Sequence, residues 1–348
     1  MSRVQKLIVQ EGDGDQRLDR WFKHEFPLIS QGRIEKMCRK GDIRVDGGRV
    51  KGSTRIEVGQ EIRIPPLPDE KAPPPPKRTR VTDADAKMIR QCVIYRDDHV
   101  IALNKPPGLA VQGGSGQADR HVDALSEALM FDMDEKPRLV HRLDRDTSGV
   151  LLLARTRMAA KALTAAMRHR ETRKIYWAVV AGVPTPYLGE IKYGLVKAGG
   201  HGKSGEGEKM IAVHPRDIDD TPGAKRAHTL YATLYRVASR ASWVAMEPVT
   251  GRTHQLRAHM AEIGHPIAGD GKYGGSGQEN QGDGWGAQIG GLISKKLHLH
   301  ARSMTFEHPE TRKPITVTAE LPEHMALTWD TFGWTEDLAS DDPFESLQ

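Results

Sequence analysis

The stretch His141-Arg142-Leu143-Asp144-Arg145-Asp146-Thr147-Ser148-Gly149-Val150 puts two carboxylates, three potential cations and a pair of hydroxyls into ten residues. It runs directly into Leu151-Leu152-Leu153-Ala154, an apolar run of the kind that forms a buried strand. Charge this dense beside a core strand is costly unless each group finds a partner. Either the stretch is a structural ion-pair network, which taken alone is the commoner arrangement, or one carboxylate is held there for chemistry. Spacing does not separate Asp144 from Asp146 in that second role.

The elements that would position such a group belong to a chain of 348 residues, long enough for two domains and a substantial core. Hydrophobic content of 38% and charged content of 28% describe a soluble globular composition. No window reaches the length of a membrane-spanning apolar helix, and the N-terminus leads into no apolar signal core. With only Cys38 and Cys92, a reducing cytoplasm without disulfides is the expected compartment. The net charge of +5 is unevenly placed. Lys and Arg outnumber Asp and Glu 18 to 12 in residues 1–80, but stand 33 to 34 in the remainder. A small basic module in front of a neutral body suggests a nucleic-acid anchor attached to something else.

Residues 1–65 have the pattern of that module. Leu18, Trp21, Phe22 and Phe26 share a helical face that Pro27 stops. Ser30 can cap a second helix with Ile34, Met37 and Cys38 turned inward and Gly41 at its end. A Gly47-Gly48 turn between Ile43–Asp46 and Arg49–Lys51 signals a hairpin, and Ile56–Ile64 alternates. Arg17-Leu18-Asp19-Arg20, Arg39-Lys40-Gly41-Asp42-Ile43-Arg44-Val45-Asp46-Gly47 and Val58-Gly59-Gln60-Glu61-Ile62 make this unit resemble the S4 RNA-binding module. The resemblance implies that Arg33, Lys36, Arg39, Lys40 and Arg44 meet phosphates of structured RNA. Proline-dense residues 66–87 read as a semi-rigid linker.

From residue 88 to 328 the chain is enzyme-sized. Strands are expected over Val93–Arg96, His99–Leu103, Leu109–Val111, Val150–Ala154, Ile175–Val180, Thr229–Tyr235 and Trp243–Met246. Helices are expected over Val122–Met130, Met158–Arg170 and Thr253–Ile263. The Gly-rich tracts Gly199–Gly207 and Gly274–Gly291 read as loops. Residues 329–348, rich in acids and without Lys or Arg, are expected to be partly disordered.

Two kinds of site find little support. His254 and His259 are five apart, not the four that aligns two ligands on a helix, and His298 and His300 have no Cys or acid at ligand spacing. No metal is expected. Gly202-Lys203-Ser204 lacks the upstream glycine of a phosphate loop, so no nucleotide cofactor is expected either.

Three long stretches together resolve the ambiguity at the start. They are His141–Val150, Lys174-Ile175-Tyr176-Trp177-Ala178-Val179-Val180-Ala181-Gly182, and Thr250-Gly251-Arg252-Thr253-His254-Gln255-Leu256-Arg257-Ala258-His259 with its continuation through Gly264–Ile267 and Gly269–Gly274. In that order they resemble the RluA-type pseudouridine synthases. Asn104–Gly108 and Gln112–Gly116, with the S4-like unit in front, resemble the branch acting on large-subunit ribosomal RNA, although Gln112 stands where histidine is common. The resemblance implies an α+β catalytic domain with a mixed, largely antiparallel sheet, acting in the cytoplasm on structured RNA as a monomer. It implies Asp144 as nucleophile, Tyr176 on the uracil ring, Arg252 beside the aspartate and Arg142 entering the space that the extruded base vacates. The isomerisation changes no oxidation state and loses no atom, so it requires no cofactor. It does require a carboxylate kept ionised in a water-poor pocket, which a guanidinium can do. Other RNA targets, and a non-catalytic RNA-binding assembly factor on the same fold, are the alternatives. The second would be favoured by loss of the aspartate, tyrosine or arginine, and all three are present.

Overall fold

The computed structural model describes residues 4–11, 13–67, 81–113, 120–169, 171–198, 209–274, 293–340 and 342–347. The chain divides into two compact units, Met1–Arg80 and Val81–Gln348. Most of the proline-dense stretch, Gly199–Gly207 and nearly all of Gly274–Gly291 lie outside the described residues.

The first unit has strands β1 (Gln5–Ile8), β2 (Gln16–Arg17), β3 (Arg44–Val45), β4 (Gly48–Arg49), β5 (Arg55–Ile56) and β6 (Glu61–Ile64), with helices α1 (Leu18–Glu25) and α2 (Gln31–Lys40). α1 buries Leu18, Trp21 and Phe22, and α2 buries Ile34, Met37 and Cys38, as their spacing predicts. Gly41 closes α2 with φ 79°, the left-handed cap that suits glycine. The hairpin turn is Asp46-Gly47, both at positive φ, rather than Gly47-Gly48. A two-residue turn of that hand needs left-handed backbone at both central positions, and Asp followed by Gly adopts it readily. The alternating segment Ile56–Ile64 is two strands. β5 pairs with β2, while β6 joins the sheet β1-β6-β3-β4.

The second unit is built on β7 (Val93–Arg96), β8 (Val100–Lys105), β9 (Arg138–Leu139), β10 (Ser148–Ala154), β11 (Arg173–Ala181), β12 (Leu188–Ile191), β13 (Gly194–Lys197), β14 (Met210–Val213), β15 (Lys225–Arg226), β16 (Thr229–Val237), β17 (Ala241–Pro248), β18 (Leu299–Glu307) and β19 (Pro314–Thr318). Its helices are α3 (Asp83–Gln91), α4 (Val122–Leu125), α5 (Arg157–His169), α6 (Gln255–Glu262) and α7 (Glu323–Phe332). A ten-stranded sheet runs β12-β16-β17-β11-β18-β10-β8-β7, with β9 on β10 and β19 on β18. Among the described residues every strand pairing in it is antiparallel except β10 with β18. The mixed, mostly antiparallel α+β architecture is the one expected.

β10 is buried along its whole length, which explains its unbroken apolar run. Leu151 and Leu153 face the core that holds Tyr176, Ala178 and Val180, while Val150, Leu152 and Ala154 face α5. On the opposite face of β11, Trp177 stacks edge-on against Trp243, which meets Trp329 of α7.

Three further expectations are corrected. α3 occupies the end of the range read as linker, capped by the Thr82 side chain and burying Ile89, so structure resumes before residue 88. Leu109–Val111 is no strand and makes only a bridge from Ala110 to His121. The acidic tail is anchored at its aromatics, although most of its other described residues are exposed. Trp329, Trp334 and Phe344 are buried, and Asp342 forms an ion pair with Arg173. Its aromatics anchor it, so counting its acids misjudged it.

Burial lowers His259, His298 and His300 to about 4. Each stays neutral in the folded chain while the unfolded chain takes up a proton below about pH 6.5. Stability therefore falls as pH drops from about 6.5 toward 4, by on the order of 3 kcal/mol per histidine. Urea unfolding across that window is expected to show this slope, shallower in His300→Asn. A flat profile would show that these rings are not held neutral.

Candidate active site

Asp144 lies in the loop between β9 and β10, and several contacts hold that loop. Lys105, fully buried at the end of β8, donates to the carbonyls of Pro106, Leu109 and Arg145 at 2.9, 2.8 and 2.9 Å. Burial pulls its ammonium down to about 7, opposed by the Asp146 and Asp144 charges. Three carbonyls for three N–H groups favour the charged form, the only one that satisfies all three. Gly108 N–H donates to the same Arg145 carbonyl at 2.9 Å. After the turn, Ser148 Oγ lies 2.9 Å from His300 Nδ1, and His300 Nε2 donates to Ala319 O at 3.2 Å. The Ser148 hydroxyl is thus the donor to the ring. Gly149 follows at φ 105°, where a Cβ would stand 2.2 Å from Ala301 O. No other residue lets β10 and β18 approach this closely.

The partner of Asp144 is Arg257, on α6. Arg257 Nη1 donates to Asp144 Oδ2 at 3.2 Å. Its Nε and Nη2 grip Asp270 at 2.7 and 2.8 Å. Asp270 is 1% exposed, and its Oδ1 also accepts from the backbone N–H of Lys272 and Tyr273. The carboxylate pair pushes Arg257 above its ordinary value against the effect of burial. The guanidinium plane is therefore fixed before Asp144 is considered, and one edge is left for it.

His254 completes this side. It precedes α6 in a left-handed conformation, φ 51°, with Nε2 3.7 Å from Asp144 Oδ2. Its Nδ1 lies 3.0 Å from the Tyr273 hydroxyl, which accepts from Met210 N–H at 2.8 Å. The phenol then donates to Nδ1, leaving the ring proton on Nε2 toward Asp144. Burial lowers His254 and outweighs the attraction of Asp144. Tyr176 is 9% exposed. Burial first, and the Asp144 charge second, push its phenol well above the ordinary tyrosine value.

The sequence expectations fare unequally here. The Asp144 charge reaches the Tyr176 phenol. Asp146 instead pairs with Arg145 at 3.1 Å, both partly in solvent. Arg252 is not beside the aspartate. It is exposed in the turn before α6, and its Nε donates to Arg226 O at 3.2 Å. That turn is tied down by buried Gln255, whose Oε1 accepts from Arg252 N–H and whose Nε2 donates to His228 O. The inward positions are His254 and Arg257, three apart and so on one helical side. Asking which cations of the stretch share a face with a histidine would have found them. Arg142 is exposed, as are Lys36, Arg39 and Lys40 of α2, while Arg33 is half-buried. Arg44 is otherwise engaged, with Nε on Gly41 O and Nη1 on Gly47 O, so it pins the hairpin to the end of α2. Gln112 lines a cavity of about 520 Å³ with Glu135, Arg138 and Arg157, and Asp144 does not line it.

Residues 99–262 match the family model described as RNA pseudouridylate synthase. The ribosomal large subunit pseudouridine synthase C of Vibrio cholerae serotype O1 is 34% identical over 334 residues, covering 94% of this chain and 97% of that protein. The protein of that name from Escherichia coli strain K12 is 33% identical over 330 residues, covering 92% and 94%. Among solved structures, human RNA pseudouridylate synthase domain containing 4 superposes with a TM-score of 0.57 at 26% identity, covering 71% of this chain and 95% of that one.

Two substitutions separate the arginines. Arg257→Met leaves buried Asp270 unpaired and is expected to cost about 3–5 kcal/mol of unfolding free energy. Arg252→Ala is expected to cost under about 0.5 kcal/mol. Urea titration checks both, and equal losses would contradict the placement.

Proposed function

Because this chain belongs to the RluA-type RNA pseudouridine synthases, we propose that it isomerises selected uridines of large-subunit ribosomal RNA, with Asp144 as the nucleophile. The observation that carries the residue assignment is the 3.2 Å contact from a pre-fixed Arg257 guanidinium to Asp144, with Tyr176 alongside. The reaction breaks N1–C1′ and forms C5–C1′; C5 loses its proton and N1 takes one up, so the isomers balance. Addition of the carboxylate to the nucleoside and proton abstraction from the sugar both need an ionised Asp144. Arg257 Nη1 donates to one Asp144 oxygen, and His254 Nε2–H faces the same oxygen.

Tyr176 presents its ring to the uracil. Its phenol is held neutral, so it serves as a hydrogen-bonding hydroxyl when the C5 proton leaves and not as a phenolate base. A stacked uridine must be extruded to reach this site, at a cost of about a few kcal/mol. Exposed Arg142, two residues before Asp144, is suited to fill the gap with its guanidinium plane. The first unit acts as an S4-type anchor through Lys36, Arg39 and Lys40, with Arg33 in support. The target class follows the two relatives' names, because both relatives align along more than nine-tenths of this chain.

Mapping of pseudouridine in ribosomal RNA from a deletion strain is expected to show specific large-subunit sites missing. Complementation with the wild type or Arg252→Ala restores them, whereas Asp144→Asn does not. A full complement of sites in the deletion strain would refute the target, and restoration by Asp144→Asn would refute the nucleophile.

A further inference from the structure

Asp270 holds more than a guanidinium. Its Oδ1 accepts the Tyr273 N–H at 3.2 Å, so the buried carboxylate that grips Arg257 also sets the backbone of Tyr273. Two cations stand over the Tyr273 ring, Arg257 Cζ 5.2 Å and Lys209 Nζ 5.6 Å from its centroid. The His254 ring stands at 87° to it, centroids 5.7 Å apart. At the hydroxyl, the Met210 N–H of β14 donates at 2.8 Å and His254 Nδ1 lies at 3.0 Å. The tyrosine is thus fixed at its backbone, its ring and its oxygen.

A hydroxyl has one proton to give, and only one of these two neighbours can take it. Met210 N–H is a donor, so the proton goes to Nδ1. Burial raises the phenol above the ordinary tyrosine value, so it keeps that proton. With Nδ1 occupied as an acceptor, the neutral ring carries its own proton on Nε2, 3.7 Å from Asp144 Oδ2. That separation exceeds a hydrogen bond, so Nε2 acts on the carboxylate through its dipole. An N–H there attracts the charge, and a bare lone pair repels it. The surrounding charges do not secure this state by themselves, since Asp144 and Asp270 act on the ring against Arg257 and Lys272. The Asp144 charge favours a proton on Nε2, but it equally favours a second one on Nδ1. The imidazolium so formed would share its proton with Asp144 and weaken it as a nucleophile.

We propose that Tyr273 is a positioning residue for the isomerisation, whose hydroxyl keeps His254 neutral with its proton on the nitrogen that faces Asp144. The proposal rests on the reading of Asp144 as nucleophile and adds what fixes the polarity of its histidine neighbour. The phenol acts through His254 and touches no reacting atom. It also ties the nucleophile to β14, because the Met210 N–H closes the other direction in which the hydroxyl proton would point.

The test uses the full chain and a large-subunit ribosomal RNA fragment on which the wild type forms pseudouridine. Absence of product from the wild type would refute the RNA reading, whereas ring signals of the free protein judge Tyr273 separately. With 15N in the histidine rings, wild-type His254 is expected to show a bare Nδ1 and a protonated Nε2 from about pH 8 to about pH 6. A protonated Nδ1 in the wild type would overturn the proposal whatever the variants do. Tyr273→Phe keeps the ring beneath Arg257 and removes only the hydroxyl. Its His254 Nδ1 is expected to gain a proton in that window. Its single-turnover rate at saturating RNA is expected to fall about tenfold, the scale of one hydrogen bond. The deficit should deepen as pH falls, with RNA affinity unchanged. A slower variant with an unchanged ring signal would show a merely structural tyrosine, and a changed ring with the wild-type rate would show an idle tautomer. Either result overturns the proposal.

Discussion

One guanidinium serves two carboxylates, and the arrangement of the catalytic unit follows from that. Asp144 and Arg257 are 113 residues apart in sequence and meet at 3.2 Å. A charge of either sign alone at this depth would be costly. Asp270, almost wholly buried, fixes the guanidinium by a two-point contact and is itself satisfied by two backbone N–H groups. The fork's remaining edge then meets Asp144 in a set direction. An ammonium could supply the charge but not the plane, which is why arginine suits this position.

The fold brings the two ends of that contact together from opposite sides. On the Asp144 side, the loop is tied to β8 through Lys105 and to β18 through Ser148 and His300, and the close approach at Gly149 sets its distance from the sheet. On the Arg257 side, Gln255 fastens the turn before α6 to the residues entering β16. Between them, β11 offers Tyr176 on one face and buries Trp177 on the other against α7. The largely antiparallel sheet is thus a frame whose central strands, β10, β18 and β11, each contribute a group to the site or to its support.

The sequence made the frame readable because central strands are apolar on both faces and helices show a 3.6-residue period. β10, β11, β16, β17, α5 and α6 all appear where those patterns predict them. The proposed nucleophile was legible only in part. Spacing left Asp144 and Asp146 equivalent, and what separates them is a partner far away in sequence. The same non-local pairing hid Arg257. Within its stretch, Arg252 and Arg257 are both plausible cations, and the choice depends on where α6 begins and which side faces the sheet. The short strands β12 to β15 carry too few residues to register as alternation. The tail was misjudged because three buried aromatics outweigh its acids, and composition does not record which residues are inside.

Single-turnover pseudouridine formation by Arg257→Lys most directly tests the claim that one planar fork aligns Asp144. The variant keeps the positive charge and loses the two-point grip on Asp270, so stability is to be followed in parallel. With the variant folded and the RNA bound, the expected rate is lower than wild type by about a hundredfold or more, the scale of losing an oriented charged contact in a transition state. A rate within about threefold of wild type would show that charge alone suffices, and would contradict the shared fork as the constraint on which the site depends.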